Sequence, residues 1–351
     1  MELTTFPWQE ATWASLAALR GRVPHALLLF GPRGIGKRQL AMAWAAAQLC
    51  ESPQADGHAC GRCTGCQLLL ADNHPDLRLV VPAADAVARA DETEAESEGG
   101  AKAAKASRVI RIDQVRELDE FLAITSHRGG SRIVVLAPAE MMNTEAASSL
   151  LKMLEEPPAG ALFVLVADDI DAVLPTVRSR CRLLRVAPPS PAQALAWLRE
   201  QGVETPEERL AEAGGAPLAA LEGDDERHGL EPALKRALLG LLERGAALAA
   251  ADIAAAIPKD IALTPAITLL QRWSWDLLAS RCGVQLRYYP RHAQPLSRIA
   301  QKTSAAALMT WAMELAQMRA TSAHPLNARL AVERALLAYA AALAQQPQDT
   351  P

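Results

Sequence analysis

The sequence predicts an α/β protein, with a parallel sheet covered by helices on both faces and helical domains after it. Three observations predict this fold class. Short apolar runs alternate with segments of helical spacing, a glycine-rich loop follows the first run, and the strand signal stops at a proline cluster over 188–191. Strands that alternate with helices are typical of a parallel sheet, because each helix carries the chain back to begin the next strand.

The first strand is predicted at 25–30, an apolar run that leads directly into the loop 31–37. After this loop, Leu40, Ala43 and Ala47 keep helical spacing, which predicts a helix. The same criteria predict further strands at 77–81, 132–137, 161–167 and 182–186, and helices at 113–125 and 144–155.

The composition changes twice along the chain. Residues 83–107 are rich in alanine and acidic residues and contain no aromatic residue, which predicts a solvated insertion. Beyond 187 no strand is expected. The predicted domains are therefore 1–187 (α/β), 188–225 (a small helical domain) and 226–351 (a larger helical bundle). Helices of the bundle are expected at 230–243, 250–257, 265–280, 304–321 and 327–343.

Composition excludes several classes of protein. Half of the 351 residues are apolar, 22% are charged and the net charge is -4, which is typical of soluble globular proteins. The overall charge balance gives no bulk basic surface for nucleic acid. No apolar run approaches the roughly 20 residues that span a bilayer, so a cytoplasmic location is expected.

The loop after the first strand matches a phosphate loop in part. Gly31, Gly36 and Lys37 stand where such a loop has its glycines and its phosphate-binding lysine. Arg38 occupies the position of the hydroxyl that holds magnesium, and a guanidinium is a donor that cannot ligate a cation.

The second magnesium-binding element is also altered. An Asp, usually followed by a Glu, is expected at the end of a later strand, and those places hold Ala137 and Pro138. Phosphoryl transfer depends on positioning and charge neutralisation, so the loss of these groups predicts that ATP is not hydrolysed by this chain. The loop 31–37 is interpreted as vestigial, kept for packing, with residual nucleotide binding as the open alternative.

Four of the six cysteines are clustered. Cys50, Cys60, Cys63 and Cys66 have the spacing C-x9-C-x2-C-x2-C. Four thiolates close a tetrahedral zinc site and leave no position for water, so a structural Zn2+ is predicted. The alternative is a set of unpaired core cysteines. Cys181 and Cys282 lie elsewhere, and both are expected to be buried apolar side chains of the kind free cysteine often is.

Two further motifs carry a family resemblance. The first is the helix end Leu-Leu-Lys-Met-Leu-Glu-Glu-Pro-Pro at 150–158, and the second is Ser179-Arg180-Cys181. Together they resemble the AAA+ clamp-loader family, and the best match within it is to the delta-prime subunits of bacterial DNA polymerase III. The resemblance covers about the first 225 residues.

The resemblance implies a specific architecture and role. The α/β domain is expected to have the RecA-like AAA+ fold with a zinc module inserted at about 50–66, followed by a lid domain and an oligomerisation collar. Arg180 is expected to be a trans-acting arginine finger for the ATP of a neighbouring subunit. Ala167 and Ala219 fall where hydrolysing members have nucleotide-sensing side chains. The implied partners are the gamma or tau ATPase subunits and the delta subunit, with the sliding clamp and primed DNA met through the complex.

Two alternative functions remain open at the level of sequence. One is an ATP-hydrolysing gamma or tau type subunit that uses Lys37. The other is a zinc-ribbon protein that binds nucleic acid directly, which needs basic and aromatic residues around the cysteines. Between Cys50 and Cys66 the only such residue is Arg62, which disfavours the second alternative.

Overall fold

In the computed structural model the described residues are 3–19, 21–86, 107, 109–123, 130–222, 230–321 and 327–344. The chain divides into two compact units, Met1–Gln193 and Ala194–Pro351. Most of the insertion predicted at 83–107 lies outside the described residues. The boundary predicted at 225 inside the second unit stays a prediction.

The first unit is built on one five-stranded sheet, and every strand pairs in parallel with its neighbours. Its strands are β1 (Ala26–Phe30), β2 (Leu77–Val80), β3 (Arg132–Leu136), β4 (Ala161–Ala167) and β5 (Arg182–Arg185). The order across the sheet is β2-β3-β4-β1-β5. β3 and β4 are buried along their whole length, as a parallel strand covered on both faces should be. The predicted parallel sheet is confirmed.

Among the described residues of this unit, one α-helix precedes β1 and five lie between successive strands. They are α1 (Glu10–Ala17), α2 (Lys37–Leu49), α3 (Thr64–Leu70), α4 (Ile112–Ala123), α5 (Thr144–Glu155) and α6 (Pro175–Arg178). The start of α5 has a clear local cause, since the Asn143 side chain accepts a hydrogen bond from the Ala146 N–H at 2.8 Å. Pro157 and Pro158 follow its end and cannot continue the helix.

The strand register brings three loops to one edge of the sheet. Phe30 at the end of β1 lies beside Ala167 at the end of β4, and Leu136 at the end of β3 lies beside Leu165 of β4. In open parallel sheets, ligand sites lie in the crevice at the carboxyl ends of the strands. The loop after β1 therefore meets the residues that follow β3 and β4.

Every secondary-structure element among the described residues of the second unit is a helix. Its helices are α7 (Pro191–Glu200, which begins in the first unit), α8 (Pro206–Glu212), α9 (Pro217–Glu222), α10 (Pro232–Glu243), α11 (Ala250–Ala256), α12 (Leu263–Arg281), α13 (Ala293–Lys302), α14 (Ala305–Thr321) and α15 (Ala328–Ala344). One core joins α10 to α15, and a smaller one joins α7, α8 and α9.

Two features of this unit differ from expectation. Helix α13 was not among the predicted helices, because it contains Pro295 and buries only Leu296, Ile299 and Ala300. Pro295 is tolerated because it lies in the first turn, where the backbone N–H has no partner within the helix. Cys282 was expected to be buried, which is wrong: it ends α12 at the surface and is exposed. No helix among the described residues is long and apolar enough to cross a membrane.

Candidate functional site

The four clustered cysteines are positioned by two helices and the loop between them. Cys50 ends α2, Cys63 is the N-cap of α3, and Cys66 lies in the first turn of α3. Cys60 belongs to the connecting loop. This arrangement brings all four side chains to one point, although Cys50 is ten residues distant from the next cysteine in the sequence.

The sulfur geometry fits a tetrahedral metal. All four Sγ atoms lie within 4.8 Å of one another, and the Cys50–Cys63 and Cys60–Cys66 Sγ pairs are each 3.9 Å apart. Four sulfurs bound to zinc at the usual bond length are about 3.8 Å apart, so the cluster has the size that Zn2+ requires. Among the described residues, this is the one group of three or more potential ligands that could hold a metal ion.

Backbone N–H groups point at the sulfurs. Cys60 N donates to Cys50 Sγ at 3.2 Å, Cys63 N to Cys60 Sγ at 3.3 Å, and Cys66 N to Cys63 Sγ at 3.4 Å. Hydrogen bonds, that from the Arg62 N–H foremost, lower the pKa of the Cys60 thiol to about 5, whereas burial raises the pKa of Cys66. Donors of this kind stabilise thiolate, which is the form that binds zinc.

The cysteine loop also packs against α1. The His58 ring stacks on the Trp13 indole with centroids 4.0 Å apart, and Trp13 Nε1 donates to the Asp56 carbonyl at 3.0 Å. His58 is thus engaged by an aromatic ring and does not belong to the sulfur cluster. The loop that follows α2 thus packs against α1 through Asp56 and His58.

The loop 31–37 has the path of a phosphate loop, and two of its glycines are required. A Cβ on Gly31 would lie 2.4 Å from the Val186 carbonyl oxygen, and one on Gly36 would lie 2.5 Å from the Phe6 ring. Gly36 also has φ +85°, in the left-handed region that favours glycine. Both glycines are therefore needed for packing, whether or not nucleotide is bound.

The N-terminal segment covers the loop. Gln9 Nε2 donates to the carbonyl oxygens of Ile35 at 3.0 Å and Gly36 at 2.9 Å, and Trp8 Nε1 donates to Ile35 O at 2.9 Å. The Phe6 and Trp8 rings stack with centroids 4.9 Å apart. These contacts, all made by residues of the same chain, hold the loop in place.

Lys37 is engaged inside the protein. Its ammonium is 3% exposed and donates to Asp168 Oδ1 at 2.6 Å and to the Pro32 carbonyl at 2.6 Å. Asp168 follows β4, and its own N–H donates to Glu140 Oε1 at 2.9 Å. Burial, with the nearby Asp168 charge, raises the pKa of Glu140. Asp168 and Glu140 carried no signal in the sequence, because lone carboxylates after a strand are common.

Arg38, Ala137 and Pro138, which the sequence predicts at the magnesium positions, directly follow the loop 31–37 and β3. Arg38 is the second residue of α2, directly after the loop lysine. Ala137 follows β3 and is buried, and Pro138 precedes a turn of 3-10 helix at Ala139–Met141. None of these three side chains offers an oxygen to a cation.

Arg180 lies on the opposite side of β1 from β3, in the turn between α6 and β5. Its guanidinium is 34% exposed, forms an ion pair with Glu155 and donates to the Thr176 carbonyl at 2.9 Å. The next residue, Cys181, packs on the sheet core, and burial raises its thiol pKa to about 12. Cys181 therefore anchors the turn, and the adjacent arginine is left at the surface.

A comparison with protein families and known proteins gives one consistent result. Residues 9–190 match the model of the family described as DNA polymerase III, delta subunit. DNA polymerase III subunit delta′ of Pseudomonas aeruginosa is 42% identical over 219 residues, covering 61% of this chain and 60% of the relative. The subunit delta′ of Escherichia coli is 35% identical over 229 residues, covering 63% and 62%. The matched stretch thus spans about 60% of the length of these relatives.

The solved structures agree on the fold. A DNA polymerase III gamma subunit-related protein of Thermotoga maritima superposes with a TM-score of 0.51 at 18% identity, covering 94% of this chain and 99% of that one. At this identity the likeness concerns the fold alone.

Proposed function

Because the chain belongs to the DNA polymerase III delta subunit family, in its delta-prime branch, we propose that it is a non-hydrolysing subunit of a clamp loader. It helps to load the sliding clamp onto primed DNA, and it presents Arg180 to the ATP bound by a neighbouring subunit. The observation that carries the proposal is the placement of Arg180, at the surface beside a half-buried Cys181 that packs on the sheet core.

The surroundings of Arg180 suit a residue that changes partners. Its ion pair with Glu155 is open to solvent, with the two side chains 34% and 49% exposed. Exposed pairs of this kind contribute about 0–1 kcal/mol. A triphosphate carries more negative charge than Glu155 and can also accept two hydrogen bonds from the guanidinium, so the arginine can leave Glu155 at little cost. In other phosphoryl-transfer proteins such a finger contributes ~10³ to 10⁵ in rate.

We propose further that the chain has no ATP turnover of its own. Arg38, Ala137 and Pro138 occupy the places of the magnesium and base groups, and the ammonium of Lys37 is taken by Asp168. The α/β domain would then act as a rigid support for Arg180. The alternative of a gamma or tau type ATPase needs a magnesium site that these side chains do not provide.

The remaining parts take supporting roles in this proposal. Cys50, Cys60, Cys63 and Cys66 would hold one structural Zn2+ that ties α3 to α2. The helices of the second unit would form the lid and the collar. The partners would be the gamma or tau ATPase subunits and the delta subunit, and the assembly would work in the cytoplasm.

The test is a reconstituted complex with a single substitution. We expect Arg180→Ala to assemble normally and to lower the DNA-stimulated ATPase of the partner subunits by at least tenfold, since the finger acts on the transferred phosphoryl group. Arg182→Ala is the matched control, because it removes the same charge two residues away at an exposed position of β5. An Arg180→Ala complex that assembles and hydrolyses ATP at the wild-type rate would refute the finger.

A further inference from the structure

The lysine of the loop 31–37 is already paired with an anion of the same chain. A buried ammonium needs a compensating charge, and in a phosphate loop the nucleotide provides it. Here Lys37 is 3% exposed, and the Asp168 carboxylate lies 2.6 Å from its Nζ atom. The Asp168 carboxylate thus occupies the place beside Lys37 Nζ where the terminal phosphates of a nucleotide would otherwise bind.

The fold fixes Asp168 in this place. Ala167, the last residue of β4, lies beside Phe30, the last residue of β1, so the next residue along β4 faces the beginning of the loop. The Asp168 N–H donates to Glu140 Oε1 at 2.9 Å, and the Asp169 N–H reaches the same oxygen at 3.4 Å. Glu140, which follows β3, thus holds the backbone of Asp168 and Asp169 after β4.

The C-terminal end of the loop, at Ile35 and Gly36, is also held by contacts within the chain. Gln9 and Trp8 take the carbonyl oxygens of Ile35 and Gly36, and the Phe6 ring lies against Gly36. The loop is therefore held from the N-terminal segment by contacts of the same chain, and its lysine has an internal partner as well.

We propose that Asp168 is a built-in ligand of Lys37, which excludes nucleotide by occupying the position of its terminal phosphates. The loop beneath it would remain a working, magnesium-independent site for phosphate groups. This inference goes beyond the proposed function, because it concerns the chain's own loop and holds whether or not Arg180 acts on a neighbour. Glu140 would be the positioning residue that keeps Asp168 in place.

Asp168 can exclude nucleotide because its carboxylate is attached to the same chain as Lys37. A carboxylate attached to the same chain competes at an effective concentration on the order of millimolar or higher, whereas a free nucleotide must displace it. Removing the carboxylate leaves a buried, uncompensated ammonium that gains from any phosphate that reaches it. We therefore expect the affinity for phosphate compounds to rise by about tenfold or more.

The experiment measures binding of ATP and of inorganic pyrophosphate to the full chain in the presence of EDTA, by calorimetry and by the shift in thermal midpoint. Asp168→Ala and the isosteric Asp168→Asn should bind both compounds, and both should be stabilised by them. The matched control is Asp169→Ala, which removes the same charge from the adjacent, exposed residue. Wild type and this control should show no stabilisation at millimolar ligand.

A double substitution identifies the site. Lys37→Met with Asp168→Ala should lose the binding gained by Asp168→Ala alone, because the ammonium that holds the phosphate is gone. The proposal is overturned if wild type binds as tightly as Asp168→Asn, if folded Asp168→Asn gains no affinity, or if the gain persists without Lys37. If Asp168→Ala does not fold, the isosteric variant, whose zinc content reports folding of the first unit, decides alone.

Discussion

Lys37 and Arg180, two cations of the first unit, differ in how firmly they are paired, and their surroundings explain the difference. Lys37 is buried and paired inside the protein, whereas Arg180 is a third exposed and paired at the surface. Breaking a fully buried pair by removing one partner costs about 3–5 kcal/mol, and less when the partner reaches solvent, as Asp168 does. An exposed pair contributes about 0–1 kcal/mol. The lysine is therefore committed to its partner, and the arginine is free to exchange.

Gly36 tests how tightly the N-terminal segment closes the loop. Gly36→Ala should destabilise the protein by more than the ~1–2 kcal/mol of left-handed strain, because the new Cβ would also meet the Phe6 ring at 2.5 Å. Gly21→Ala is the matched control, since Gly21 has φ +80° and open space around its Cβ. Thermal denaturation of both variants measures the difference. Equal losses of stability would mean that Phe6 moves aside freely.

At the scale of elements, the ends of strands and helices carry all the candidate chemistry. The loop after β1, the residues after β3 and β4, and the turn before β5 each begin where a buried strand or helix stops. Burial along β3 and β4 makes their ends stiff points from which short side chains can be aimed. The cluster of four cysteines follows the same rule, since it joins the end of α2 to the beginning of α3.

The four clustered cysteines give a prediction that concerns α2, α3 and the loop between them. The purified chain should contain one Zn2+, and Cys63→Ser should lose it, because three thiolates no longer close the tetrahedron. Backbone amides of α3 and of the loop 50–63 should then exchange hydrogen faster, while those of β3 and β4 stay protected. Zinc analysis and hydrogen exchange provide the readouts. Cys282→Ser, an exposed cysteine outside the cluster, should keep one Zn2+ per chain.

The same elements show what sequence alone could predict. The five strands were predicted to within one residue at each end, because a parallel strand buried on both faces is a continuous apolar run between polar turns. The helix at 144–155 was predicted with its bounds, since its cap and its terminating prolines are local signals. The cysteine spacing likewise predicted a cluster that the structure brings together.

What the sequence could not predict depends on pairing between distant elements. Asp168 meets Lys37 across 131 positions because β1 and β4 are neighbours in the sheet, and no local pattern marks that contact. Gln9 likewise contacts Ile35 and Gly36 from a distant part of the sequence, and no local pattern marks those contacts. Helix α13 escaped prediction because its apolar stripe is short and a proline lies near its start. The features that the sequence did not predict are thus contacts between distant elements and a helix with a short apolar stripe.

On the scale of the whole molecule, the proposed function separates what the chain does alone from what it does in an assembly. The matched family covers residues 9–190, where both the loop and Arg180 lie. Both compact units contain buried cores, and the larger core of the second unit joins six helices from α10 to α15. The proposed role therefore rests on the first unit, where Lys37 is paired within the chain and Arg180 lies at the surface.

This separation makes a prediction that contrasts the two cations. The isolated chain should hydrolyse no ATP with magnesium present, because Arg38, Ala137 and Pro138 give the metal no ligand. In the reconstituted complex, Lys37→Met should leave the DNA-stimulated ATPase within about twofold of wild type, whereas Arg180→Ala should lower it by at least tenfold. Both rates must be measured on complexes of equal subunit composition, so that loss of assembly is not mistaken for loss of catalysis. Magnesium-dependent turnover by the isolated chain that disappears in Lys37→Met would show that the loop is an active site, and the assignment as a non-hydrolysing subunit would then be wrong.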